Sequence, residues 1–576
     1  MNKNKRVVSS EEQQSKRIKS QFKRKIRNVF TGAGFTYIPT NDHEMTIGFR
    51  AVEVDALFIY QNIWLICEDT IKTTNIREHI RTKNEAFGQI KENLGDYIDA
   101  LIGIFPEKEQ VLRAFDAGRI KVFGLYISRE ELDISEADHS LFPNLIFVQP
   151  RTLNYFQWTV KCIKLSARNE IFRFLNLSDS DIGSPRSTSS SAEITAPIIY
   201  PKEFTGLTNR VRIVSFMMSA EDMLDMCYVL RKDNWDESIW LYQRLIDKQK
   251  IRSIRAFLET KGEAFYNNII VALPDDVMFK DTAHQYRTVD EISPLESNCQ
   301  LVLPKKMNSI CIIDGQHRVF AHYESGNNSK QEMKIAALRK QLHLLVTGLI
   351  FPSDMSKEER IRYQSAIFLD NNTTAKPVPQ NVLLHIKRIK NPIEDESLAQ
   401  FVIESLNREG IFKNMFQLSF LETGRIKTAS IVRFALRYLV TIAPSDGKQS
   451  LFEYWDGDKE AIKSMKEEAI KSYATFCATI LRSYFGAIRK HMKQYWDDES
   501  SKLLSVISIN GFIIAFTRQL RINGVKDFDF YDKIFSSWSC DFSAENFPYT
   551  SSQYRKFSTK ILSEAFMLTD KQLQEI

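Results

Sequence analysis

Two places in this chain bring together side chains that can do chemistry. The first is Asp314-Gly315-Gln316-His317-Arg318, which follows the apolar run Ile310 to Ile313. The run reads as a buried strand, Asp-Gly is a strong turn signal, and Val319, Phe320 and Tyr323 take up helical spacing after Gln316. A strand, a tight turn and a helix aim backbone N–H groups at the mouth of the turn, where an anion is favoured. Arg318 falls in the first helical turn, where a cation opposes the helix dipole unless it faces an anion, and a phosphate is the obvious candidate. An ordinary strand–helix turn with solvated His317 and Arg318 is the bland alternative. The second place is the pair of β-rich segments Val52 to Tyr60 and Ile63 to Asp69, joined by Gln61-Asn62 as a two-residue hairpin loop. In that register Asp55 faces Glu68 and Glu53 faces Thr70, so three carboxyls share a face with Leu57, Ile59, Trp64 and Ile66. Like charges placed this way require a proton or a hard cation such as Mg2+, held by Asp55 and Glu68. Carboxyls at strand ends that reach water or a lysine are the bland alternative there.

The elements that must hold these groups read as mixed α/β (α+β). Residues 1–27 form a basic N-terminal arm, frayed or helical, which is either solvated or in contact with phosphates. Residues 28–177 alternate strands with helical stretches: an amphipathic helix over Asn84 to Leu101, and short strands at Lys121 to Ile127 and Leu145 to Val148. Residues 178–194 are Ser- and Asp-rich and read as a flexible linker. Residues 195–385 carry the Asp314–Arg318 turn, and Ser356-Lys-Glu-Glu359 is a capping box opening a helix to about Leu369, ended by the Asn371-Asn372-Thr-Thr turn. Residues 386–576 are mostly helical, with a long amphipathic stretch from Ala461 to Met492.

Composition bounds the function. The 576 residues are 43% hydrophobic and 26% charged, which suffices for about three domains. A net charge of +6 is too modest at this size to establish nucleic-acid binding by itself. The seven cysteines form no CxxC pair, and Cys67, Cys162, Cys311 and Cys477 sit in apolar settings, as expected of buried thiols in a reducing cytoplasm. No apolar run is long enough for a membrane span, and the polar, basic start lacks the core of a signal peptide, so a cytoplasmic protein without membrane contact is expected. HExxH, zinc-type His/Cys spacing and the GxxxxGK[ST] phosphate loop are all missing from the sequence.

The pentapeptide Asp314–Arg318 resembles, letter for letter, the signature of the DGQHR-domain family, which includes DndB-type regulators of DNA phosphorothioation and DpdB-type proteins of 7-deazaguanine DNA modification. Tyr242-Gln243-Arg244 with Ile251, Ile254 and Phe257 is similar to the segment upstream of that signature. Phe368-Leu-Asp-Asn-Asn-Thr-Thr-Ala-Lys-Pro-Val378 is similar to the segment downstream, so the likeness covers roughly residues 200 to 440. It implies a distant ParB/sulfiredoxin-like nucleotide-binding domain. In it Gly315 allows close approach of a phosphate, the N–H groups near Gln316 and His317 cradle it, and Arg318 pairs with it. Asp314 holds Mg2+ or orients a water. His317 donates to phosphate or acts as general acid–base. Arg244 is a second phosphate ligand, and Asn372 and Lys376 close the pocket. The hairpin in turn resembles that of PD-(D/E)XK nucleases, where an Asp on one strand meets Glu-x-Lys on the next. Here Glu68-Asp69-Thr70 lacks the lysine, and Lys72, Lys83 or Lys91 are the candidates to replace it. Three functions follow as expectations. One is a protein that binds, or binds and hydrolyses, ATP or CTP with Mg2+ near DNA in bacterial DNA modification or phage defence, alone or with other such proteins. The second is a metal-dependent DNA endonuclease. The third is a non-catalytic DNA-binding transcriptional regulator.

Overall fold

The computed structural model describes residues 10–71, 76–183, 191–195, 197–201, 205–206, 211–231, 235, 243, 245–292, 299–373, 388, 391–418, 426–445, 449–550 and 552–575. It is mixed α/β with a helical C-terminal region. The chain opens with α1 (Ser10–Gly32), so residues 10–27 of the expected arm belong to a helix seated on the sheet. Its periodic apolar side chains Phe22, Ile26, Val29 and Phe30 are buried, and each contributes roughly 1.5–3 kcal/mol, enough to hold the helix down. Phe30 meets Phe58 at 4.8 Å between ring centroids.

The first sheet runs β1 (Thr36–Ile38), β4 (Ala56–Tyr60), β5 (Ile63–Thr70), β6 (Lys121–Ser128) and β7 (Leu145–Val148), side by side in that order. The β1/β4 and β4/β5 pairs are antiparallel, while β5/β6 and β6/β7 are parallel. Tyr60 pairs with Ile63 and Ala56 with Cys67, as the two-residue loop requires. All eight residues of β5 are buried, because helices cover both faces. Leu57, Ile59, Trp64 and Ile66 share a core with Ile80, Phe87, Ile90 and Tyr97 of α2 (Ile76–Glu92) and α3 (Leu94–Ile104). Two expectations need correction. The helix over Asn84 to Leu101 is α2 and α3, broken at Asn93. The strand Val52 to Tyr60 is also interrupted: Val54 gives its carbonyl to the Thr40 hydroxyl, and Glu53 lies in β3 (Arg50–Glu53), paired with Glu44 of β2 (Glu44–Ile47) instead of with Thr70.

After β7 come α4 (Pro150–Ile163) and α5 (Arg168–Phe174). Residues 178–183 of the expected linker are folded against the first sheet, where Gly183 N–H donates to Asn62 Oδ1 and Lys121 pairs with Asp181. Residues 191–194 lie in an edge strand, β8 (Ser191–Thr195), antiparallel to β15 (Gln300–Pro304). A six-stranded sheet has the order β11 (Cys227–Tyr228), β16 (Ile310–Asp314), β12 (Ile269–Ala272), β17 (His343–Ile350), β10 (Arg212–Ser219), β9 (Ile198–Ile199). The strand over Ile310 to Ile313 is thus present as β16, and the helix from Gln316 is α7 (Gln316–Phe320), preceded in chain order by α6 (Lys248–Lys261).

Residues 1–238 and 243–360 form one compact unit, and residues 239–242 and 361–576 a second. The division falls at 360. Buried polar links explain why the first two expected domains form one body: Arg231 reaches Tyr155 and Glu170, Trp158 Nε1 donates to Ile246 C=O, and Met307 N–H donates to Asp179. The Ser356–Glu359 box is present in both directions and opens α9 (Lys357–Thr373), which ends within the Asn371-Asn372-Thr-Thr segment, a few residues beyond Leu369. The intervening helix is α8 (Lys330–Gln341). In the second unit the long amphipathic stretch is α11 (Glu467–His491), beside α10 (Asp395–Arg408) and α12 (Val506–Asn523), and its Tyr473, Cys477, Leu481, Tyr484 and Ile488 are buried at helical spacing. All seven cysteines are free, and six are buried. Among the described residues no helix is long and apolar enough to cross a membrane.

Candidate active site

Asp55 sits at the bend before β4, where its N–H still bonds Cys67 C=O and extends the ladder by one residue. Its carboxylate turns onto the neighbouring peptide: Oδ2 accepts the Asp69 N–H at 2.9 Å, and Oδ1 lies 2.5 Å from Lys23 Nζ of α1. Lys23 is also 3.6 Å from Asp69 Oδ2. Glu68 and Asp69 are successive in β5 and project to opposite faces. Asp69 therefore meets Lys23, and Glu68 meets α2, where Lys83 Nζ is 2.7 Å and His79 Nε2 3.2 Å from its oxygens. Lys83 also donates to Glu53 C=O at 3.0 Å, which holds the ammonium in place. His79 Nδ1 bonds Tyr126 Oη at 2.7 Å, and Tyr126 is the β6 neighbour of Glu68.

Among the three lysines considered as replacements for the one missing at Thr70, Lys83 is therefore beside Glu68. Lys91 bonds Asn144, and Lys72 lies outside the described residues. The carboxyl that meets Asp55 is Asp69, on the face opposite Glu68, and not Glu53. Sequence reasoning missed it because strict alternation assigns it to the far face. It missed Lys23 as well, although a basic residue flanking the Phe22–Ile26–Phe30 stripe of an amphipathic helix was a usable signal.

The electrostatics separate the two aspartates. Burial would raise the Asp55 carboxyl, but the Lys23 ammonium and the Asp69 N–H outweigh it and hold Asp55 below its ordinary range. Asp69 is raised to about 7, by burial first and by the Asp55 charge second, against the pull of Lys23. Its Oδ1 is buried without a hydrogen-bond partner among the described residues. Asp55 and the orphaned Asp69 oxygen thus gather on the Lys23 side of the sheet and Glu68 on the α2 side, and among the described residues no three His, Cys, Asp or Glu side chains converge at metal-ligand spacing.

The signature turn has the expected backbone. Gly315 sits at φ +102°, and a Cβ there would come within 3.0 Å of Ile269. Its side chains are more committed than expected. Asp314 Oδ1 accepts the Gly315 N–H at 2.8 Å, and Oδ2 is 3.6 Å from Arg318; among the described residues it belongs to no group of three or more potential metal ligands. Gln316 is buried and accepts from the fully buried Arg231. His317 Nε2 accepts the Asp247 N–H at 2.9 Å, so that nitrogen carries no proton and is not placed to donate to a phosphate. Arg318 is mostly buried; burial lowers its pKa, and Asp314 offsets this in part. Arg244 and Lys376 lie outside the described residues, as does the side chain of Asn372. Arg231, with Tyr155, Glu170 and Gln316, is a structural network that sequence reading did not find, since a buried arginine has no local signature.

No family model, no curated protein and no solved structure matches the chain.

Proposed function

We propose that this chain is a metal-dependent phosphodiesterase acting on DNA, with its active site at the Asp55/Glu68 hairpin. The observation that carries this reading is Lys83, whose ammonium occupies, from the following helix, the place beside Glu68 left empty by Thr70. The antiparallel hairpin followed by a helix and two parallel strands also fits the likeness to PD-(D/E)XK nucleases. Asp55 and Glu68 would hold Mg2+, which supplies Lewis-acid stabilisation of the scissile phosphate and lowers the pKa of a bound water. Lys83 orients the attacking water against Glu68, and His79 fixes the other side of that carboxylate.

The signature turn favours a second role within the same protein. Gly315 in the left-handed region and a mostly buried Arg318 whose carboxylate partner is 3.6 Å away support binding of a phosphate-bearing ligand, ATP or CTP, that regulates the hairpin site. The likeness of the pentapeptide to the DGQHR signature supports a place in bacterial DNA modification or phage defence, in the cytoplasm. The test is plasmid cleavage by the full chain with Mg2+ or Mn2+. Wild type is expected to cut, and Asp55→Ala and Glu68→Ala each to lose at least about a hundredfold in rate, with their secondary structure unchanged. Equal cutting by wild type and both variants would refute the assignment.

A further inference from the structure

On the flank of α1 away from Lys23, a cavity of about 280 Å³ opens between α1, the end of β6 and the start of α4. Its polar lining is Gln21, Lys25, Ser128, Arg129 and Asn154. Lys25 bonds only a neutral group, Asn154 Oδ1 at 2.5 Å, and makes no ion pair among the described residues. Burial lowers its pKa, and the charge of Lys161, about two α4 turns beyond Asn154, lowers it further. Arg129, also in the lining, has Glu130 at 3.6 Å as the nearby carboxylate. The cavity thus gathers two cations, of which Lys25 has no acidic partner among the described residues and Arg129 has one, the exposed Glu130. The N-terminus of α4 adds to the positive field, because Gln149 at its N-cap spends its side chain on Leu132.

The position relates this cavity to the hairpin. Thr70 and Ser128 are register partners, and Arg129 N–H donates to Thr70 C=O, so the lining begins where the Glu68–Asp69–Thr70 segment ends. Lys23 and Lys25 point to opposite flanks of one helix, which separates the two sites by about 10 Å. Along the same helix Lys16, Arg17, Lys19, Arg24 and Arg27 are exposed and make no ion pair among the described residues. We propose that this cavity binds a backbone phosphate of the DNA strand whose neighbouring linkage lies at the Asp55/Glu68 site, and that the basic face of α1 tracks the same strand. The choice of ligand rests on the phosphodiesterase reading, while the positive cavity itself does not.

The experiment is binding of a labelled duplex to the full chain in EDTA, by anisotropy, between about 50 and 200 mM salt. Without divalent metal no cutting contributes, so the outcome is independent of whether the hairpin is catalytic. Lys25→Ala is expected to weaken binding about tenfold at the lower salt and to reduce the log–log salt slope by about 0.9, one phosphate contact, while Lys25→Arg keeps both. Arg129→Ala, at a more exposed position, is expected to act in the same direction and guards against a folding defect at Lys25. Unchanged affinity and slope in both alanine variants would overturn the proposal. Titration with inorganic phosphate separates the sources: phosphate binding lost in Lys25→Ala while duplex binding stays intact would assign the cavity to a free phosphate and overturn the strand contact.

Discussion

Asp69 is a carboxyl that its surroundings make harder to ionise, and that has a thermodynamic consequence. Its pKa is raised from 3.8 to about 7 by burial and by the Asp55 charge. Below about pH 4 the folded and unfolded chains are both protonated at this position. Between pH 4 and 7 the unfolded chain releases the proton and the folded chain keeps it, so this group removes stability as pH rises, and the loss is complete above pH 7. The amount is on the order of 4 kcal/mol. Asp69→Asn should therefore flatten the stability profile and make the protein more stable than wild type at pH 8, measured by denaturant unfolding in EDTA; an unchanged slope between pH 5 and 8 would contradict it. Gly315 sets a second residue-scale expectation. A Cβ at φ +102° is strained and crowds Ile269, so Gly315→Ala should cost about 1–3 kcal/mol, read as a lower denaturant midpoint.

At the scale of elements, the hairpin and the signature turn were both legible in the sequence because each is specified locally. Alternation and a two-residue loop set the β4/β5 register, and an apolar run ending in Asp-Gly set β16, its turn and α7. What was not legible came from outside these segments. The bend at Asp55 depends on Thr40 capturing Val54 C=O, and the site lysines arrive from α1 and α2. The commitment of Gln316 depends on Arg231, which in turn is held by Tyr155 and Glu170 on α4 and α5. The same network erased the expected boundary at 178–194. Because Arg231 is fully buried, breaking its pair leaves an uncompensated charge, and Glu170→Ala should destabilise the chain by about 3–5 kcal/mol. A replacement of both by apolar residues of similar size, Arg231→Met with Glu170→Leu, should recover much of that loss; equal losses in single and double variants would contradict the pair assignment.

For the whole molecule, the unit spanning residues 1–238 and 243–360 holds both the carboxylate hairpin and the signature turn, which is where the proposed regulation would have to act. ATP or CTP should bind the full chain at up to millimolar concentration and change the rate of DNA cutting, and Arg318→Ala should weaken that binding about tenfold by calorimetry. The central claim, however, is that Lys83 does at the hairpin what a lysine at position 70 would do. The measurement that tests it most directly is the rate of Mg2+-dependent plasmid cleavage in wild type, Lys83→Ala, and Lys83→Ala combined with Thr70→Lys. The account predicts a loss on the order of 10²–10⁴-fold in the single variant and partial recovery in the double. Cutting by Lys83→Ala at the wild-type rate would contradict it.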